Sequence, residues 1–395
     1  MHYRLTVLRL FAVLCILALY AAPRVSGQEA LTPGSSVRIS MERLEQAAQL
    51  VEGQVSGGSI TSASLLVAHQ GKIILHRTYG KMSRETDATS VQPTSPFLVA
   101  SITKPVTAVA IMLLVERGLI RLTDPVKQYI PEFSGDEREQ ITVRMLLNHT
   151  SGLPDMLPEN TTLREHLKPL AEYDKLIFGT PLLFQPGTGV SYQSMGLEIS
   201  SVIVERVTGM RFRDFVREEI FTPLGMGNTF LGMDGRPLAS LVKCDVPPKY
   251  TIVDPQKRWD WNSPYWRDLG APWGGLHSTT MDIAVLLQTF LNSGVYKGYR
   301  LLSPLTVDQM IRDQNPGLPV PWGLGWALGA RRDEKWFGDI VSDRAFGHFG
   351  ATGTVAWADP AHDLICVLFT SRPAGRDNRR LLSLVSNAVT ASVIE

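Results

Sequence analysis

The chain has 395 residues, 44% of them hydrophobic, with 39 basic and 38 acidic side chains. That is apolar material enough for a sizeable core and length enough for two domains. A near-neutral balance without a basic run leaves no footprint for nucleic acid, and the three cysteines, Cys15, Cys244 and Cys366, make no disulfide framework.

The chain opens with basic His2, Arg4 and Arg9, then an apolar run from Phe11 to Ala22 that is short for a membrane span, then small residues at Val25-Ser26-Gly27. This reads as a secretory signal cleaved before Gln28, which predicts an exported protein, periplasmic or secreted, with no stable membrane span afterwards. The rival readings are an uncleaved anchor and a lipoprotein at Cys15, for which Ala12-Val13-Leu14 is a poor lipobox. Cleavage removes three arginines and no acid, leaving 36 basic against 38 acidic residues. Cys366 lies in the apolar run Leu364–Phe369 and reads as a buried small hydrophobe; a bridge to Cys244 is the alternative.

Residues 40–51 place Leu44, Ala47, Ala48 and Val51 on one helical face. The runs 64–68 and 72–75 flank His69-Gln70-Gly71 as a hairpin. Val106–Val115 is apolar all round, as in a buried central helix, with Gly118 as its stop. Residues 119–274 are rich in Pro, Gly and short helical patterns, the better helices being 195–207, stopped by Gly209, and 213–220. Thr280–Leu291 is a helix capped by Ser278 or Thr279 and stopped by Gly294. Strands at 354–358 and 364–370 flank a turn, and a helix at 379–393 closes the chain. Strands lie early and late and helices fill the middle. The expected fold is α/β (α+β): one antiparallel sheet built from both ends (residues 38–118 and 275–395), flanked by the terminal helices, with a helical subdomain (119–274) inserted.

Three strings carry chemistry: Ser101-Ile102-Thr103-Lys104, Tyr192-Gln193-Ser194 and His348-Phe349-Gly350. If Ser101 opens the buried helix, Lys104 one turn on lies beside its hydroxyl. Burial lowers an ammonium pKa, so such a lysine can take the serine proton. Alone, Ser101 reads equally as an N-cap, Tyr192 as a surface tyrosine under its loop and His348 as a strand-end histidine. Tyr192 is the one tyrosine followed two positions on by Asn or Ser. Ser240–Lys243 repeats the first pattern, but before a proline-rich loop with no helix start; His69–Gly71 repeats the third inside a hairpin.

In this order, and with Leu146–Leu153 (LLNHTSGL), Pro223-Leu224-Gly225-Met226 and Gly274–Thr279 (GGLHST) around them, the strings resemble those of the serine β-lactamase and penicillin-binding-protein superfamily. The similarity is to its class C-like branch, which also holds esterases and D-amino peptidases, over about 60–372. The resemblance implies the β-lactamase/transpeptidase-like fold and an active site at the seam of the subdomains. It implies Ser101 as nucleophile, Lys104 as its proton partner and Tyr192 as second base. It also implies an oxyanion hole from the Ser101 and Ala351 N–H groups, with Ser194, His348 and Gly350 lining the substrate site. No cofactor and no metal is implied. The chain contains no G-x-S-x-G, H-E-x-x-H, G-x-G-x-x-G or Walker string, and His149 and His277 read as structural loop residues.

Two positions depart from the family pattern. Ser194 stands where the family has Asn, and His348-Phe349 where it has Lys-Thr. Both weaken the grip on a substrate amide or carboxylate and favour a small ester, with His348, if protonated, as partial compensation. The partner expected is a small-molecule ester or amide. The alternatives are a β-lactamase or D-Ala/D-amino peptidase, and a non-catalytic binding or scaffolding homologue.

Overall fold

The computed structural model describes residues 39–246, 259–331 and 336–394; the signal segment and Cys15 lie outside them. Ser40 caps the first helix, α1 (Met41–Ser56), its hydroxyl accepting from the Arg43 N–H. The hairpin β1 (Ser62–His69) and β2 (Lys72–Gly80) follows, then a short strand β3 (Phe97–Leu98) and the buried helix α2 (Thr103–Glu116). Nearly all the next elements are helices: α3 (Val143–Leu147), α4 (Asn160–Glu165), α5 (Leu170–Ile177), α6 (Met195–Thr208), α7 (Phe212–Val216) and α8 (Thr222–Leu224), with a π turn at Arg217–Phe221. The short strand β4 (Phe230–Leu231), α9 (Pro264–Leu269), β5 (Leu276–Ser278) and α10 (Thr280–Leu291) come next. The chain then runs through β6 (Val295–Tyr296), β7 (Tyr299–Arg300), α11 (Pro304–Ile311) and β8 (Ala327–Leu328). It finishes with β9 (Phe346–Gly350), β10 (Thr354–Asp359), β11 (Leu364–Thr370) and α12 (Arg376–Thr390).

The main sheet has the order β2-β1-β11-β10-β9-β8, all antiparallel, so the first strands pair with the last. Its central strands are apolar at nearly every position because both faces are covered. Leu65, Val67, Val355, Trp357, Leu364, Cys366 and Leu368 face α1 and α12. Leu66, Ala68, Ala356, Ala358, Ile365, Val367 and Phe369 face the core of α2, α10 and the helical stretch. The strict alternation between the two sets is the two-residue period of a strand. Cys244 and Cys366 are both buried and free, so the alternative bridge does not form.

The helix expected over 280–291 is found at those bounds with Asn292 as its C-cap, and Gly294 leads into the β6–β7 hairpin at φ 93°. The small sheet β3-β5-β4 has no counterpart in the sequence reading, because two-residue strands carry no measurable alternation.

Candidate active site

Ser101 does not open α2. It sits in a 3₁₀ turn, Ala100–Ile102, that runs into the helix, and Ala100 before it has φ 47°. An alanine in the left-handed region is a local strain that surrounding contacts must hold. The Thr103 hydroxyl donates to the Ala100 carbonyl at 2.6 Å and accepts the Leu276 N–H at 3.1 Å, tying the turn to β5.

Lys104 lies on the first turn of α2 and is fully buried. Its Nζ donates to Ser101 Oγ at 3.1 Å and to the Trp273 carbonyl at 3.0 Å, and stands 4.7 Å from the centre of the Tyr192 ring. Burial drives its pKa from 10.5 down to about 7, with Asp155 pulling the other way. Near neutrality about half the lysines are therefore free amines, the form that accepts a proton.

Tyr192 is carried by a loop locked at both flanks. The Ser191 N–H donates to the His149 carbonyl at 3.0 Å and the Gln193 N–H to His149 Nδ1 at 3.2 Å. The buried Gln193 amide reaches the carbonyls of Met145 at 2.9 Å and Leu146 at 3.2 Å, at the end of α3. A Cβ on Gly196 would meet that amide at 2.7 Å, which accounts for the glycine in α6. Aromatic rings close around Tyr192: His149 at 5.0 Å between centres, Trp322 at 5.8 Å, His348 at 6.1 Å and Phe349 at 6.3 Å. His149, read as a structural loop residue, lies in the loop after α3 and supports the tyrosine. At φ 66° it packs directly on the tyrosine, and burial holds it neutral.

Ser194 is buried and donates its Oγ proton to Asp155 Oδ1 at 2.6 Å. His348 is buried on β9 and its pKa is pushed down to about 3, chiefly by burial and then by the charge of Lys104. Burial and the Lys104 charge thus both oppose the protonated imidazole that the sequence reading considered as compensation. Phe349 stacks on Trp336, with centres 3.8 Å apart. Gly350 faces the segment that leads to Ser101, where a Cβ would meet the Val99 carbonyl oxygen and Thr354 Oγ1 at 2.3 Å. The Thr352 hydroxyl donates to the Leu98 carbonyl at 2.6 Å and that of Thr354 to Val99 at 3.0 Å. The turn bearing exposed Ala351 is therefore tied to the segment that delivers Ser101.

The decoy strings fall elsewhere. Ser240 donates to the Pro237 carbonyl and Lys243 pairs with Glu85, while Gly71 turns the β1–β2 hairpin. His277, the other histidine read as structural, is buried in β5 and stacks on Phe230. Among the described residues no three metal-ligating side chains converge and no helix is long and apolar enough to cross a membrane.

An antiparallel sheet between terminal helices, with a serine and a buried lysine at the mouth of a central helix, defines the β-lactamase/transpeptidase-like class of fold. The chain belongs to the Beta-lactamase family, which matches residues 47–389. It is 28% identical over 374 residues to a Salmonella agona protein named "Putative D-alanyl-D-alanine carboxypeptidase", covering 85% of this chain and 84% of that one. It is 27% identical over 401 residues to the N-acetylmuramyl-L-alanine amidase of Bacillus subtilis, covering 92% and 90%. Its fold is similar to that of a penicillin-binding-protein homologue from Caulobacter crescentus, with TM-score 0.73, 21% identity and 91% and 99% of the two chains covered. It is also similar to EstCE1, a hydrolase with promiscuous acyltransferase activity, with TM-score 0.71, 20% identity and 88% and 98% covered.

Proposed function

We propose that the chain is a serine hydrolase that forms an acyl-enzyme on Ser101 and acts as a carboxylesterase on small neutral esters. Ser101 Oγ attacks the carbonyl carbon while Lys104, with Tyr192, takes its proton. The oxyanion is received by the Ser101 and Ala351 N–H groups. Collapse expels the alcohol, which regains the proton. Water, deprotonated by the same groups, then attacks the acyl-serine, releasing the acid and restoring Ser101.

The ester preference rests on one observation: the end of β9 presents a neutral imidazole at His348 and an aromatic ring at Phe349 stacked on Trp336. Neither offers the positive charge or hydroxyl that a substrate carboxylate needs, and an unpaired buried group costs about 1–3 kcal/mol. The names of the two relatives favour the second reading, a peptidase or amidase of the same acyl-enzyme route.

The deciding measurement is kcat/KM for p-nitrophenyl butyrate, nitrocefin and a D-Ala-D-Ala peptide side by side, with fluorophosphonate labelling. The butyrate should be preferred, and the label should be lost in Ser101→Ala and kept in Ser240→Ala. Preference for either of the other substrates overturns the esterase; label on another serine overturns the site; neither label nor turnover favours a binding homologue. Export is part of the same reading, and amino-terminal sequencing should find Gln28 or a neighbour; intact Met1 on a cytoplasmic pool refutes it.

A further inference from the structure

We propose that Asp155, a carboxylate tied to the segment that carries Tyr192, is a positioning and specificity-determining residue that acts on Lys104 and turns away anionic substrates. The inference rests on Lys104 acting as the base.

Asp155 lies just beyond the LLNHTSGL string and is exposed. Two bonds hold it: Oδ1 accepts the Ser194 hydroxyl at 2.6 Å, and its carbonyl accepts the Ser194 N–H at 3.2 Å. Ser194 is two residues past Tyr192, so the carboxylate is fixed to the segment that carries the tyrosine. Among the described residues it forms no ion pair, unlike Asp124, Asp214 or Asp245, each held by an arginine.

The groups around Lys104 show why this charge counts. Ser101 Oγ, the Trp273 carbonyl and the Tyr192 ring touch it and carry no charge. His149 and His348 lie close enough to feel its charge and are held neutral by burial. Arg331 is buried over the far ring, Trp322, at 4.3 Å, and its charge reaches the two histidines. Among the described residues Asp155 is the anion whose charge favours the protonated lysine. A carboxylate only accepts hydrogen bonds. With Oδ1 committed to Ser194, it offers a substrate an acceptor and a negative potential, which suits donors and cations and repels anions.

Three substrates of one chain length test this: p-nitrophenyl pentanoate and its 5-trimethylammonio and 5-sulfo derivatives. The wild type should turn over the sulfonate most slowly, and Asp155→Asn should raise its kcat/KM relative to pentanoate by about threefold to tenfold. Asp155→Asn should also move the acidic limb of kcat/KM to lower pH, because Lys104 loses the anion that favours its charged form, whereas Asp155→Glu should restore the limb. Discrimination against the sulfonate by the wild type should fade as salt rises, since the charge is exposed; this holds even if Asp155→Asn fails to fold. A substrate ratio indifferent to Asp155→Asn and to salt, or a limb that stays in place, overturns the assignment. No ester turnover by the wild type refutes the proposed function instead.

Discussion

Replacing Lys104 by methionine keeps the side-chain length and apolar stem while removing the amine. The fold pays for burying that amine. Its pKa falls from 10.5 to about 7, and at about 1.4 kcal/mol per pH unit this is roughly 5 kcal/mol between the unfolded and folded environments. Between pH 7 and 10.5 the unfolded chain binds a proton at this lysine that the folded chain does not. Wild-type stability therefore rises with pH across that window through this residue. Methionine lacks the effect but leaves the Trp273 carbonyl without its donor, at about 1–3 kcal/mol. At pH 7 Lys104→Met should be more stable by about 2–4 kcal/mol, an advantage shrinking by about 1.4 kcal/mol per unit between pH 7.5 and 9.5. Urea denaturation of both proteins at five pH values reads this directly. In the same variant kcat/KM for the ester should fall at least about 10²-fold, as for loss of a general base, and the wild-type profile should have its acidic limb near pH 7. A stability difference flat with pH, or a variant that keeps its turnover, would refute the free-amine mechanism.

Tyr192→Phe, which removes one hydroxyl, should cut turnover by about 10²–10⁴ with an unchanged melting temperature; a loss under about threefold would leave Lys104 acting alone. Gly350→Ala forces a Cβ to 2.3 Å from the Val99 carbonyl oxygen, so it should cost about 1–3 kcal/mol in urea denaturation and displace the Ala351 turn; a cost under about 0.5 kcal/mol would deny the close approach. Glu198 on α6 is buried beside Asp174 of α5; burial and then the Asp174 carboxyl push its pKa well above the usual range, while burial raises that of Asp174 to about 6 against the hydrogen bond from Glu198. These carboxyls keep in the folded state a proton that the unfolded chain releases, so their contribution is present below about pH 4 and lost as pH rises, through about 6 for Asp174. Glu198→Gln, neutral throughout, should flatten that loss in melting temperature between pH 5 and 7, and an unchanged slope would show that the pair does not share a proton.

Local pattern carried a large part of this protein. Strand and helix periods are short-range properties, so the β1–β2 hairpin, α2, α10 with its Thr279 cap and the last two strands are legible from a few residues each. The Ser101–Lys104 pairing is equally local, since one helical turn brings it about. What the tertiary structure decided is everything that joins distant segments. The Ser194 hydroxyl is bonded to Asp155, 39 residues away. His149 and Trp322 become the walls of the Tyr192 pocket; the LLNHTSGL string marks the first, but nothing in the neighbourhood of Trp322 marks the second. His348 was legible as a residue but not as a charge, because its protonation depends on burial and on Lys104, 244 positions earlier. Sequence patterns report which faces are apolar and where turns fall. Which polar groups share one low-dielectric space, and so which of them can hold a charge, follows only from the folded packing.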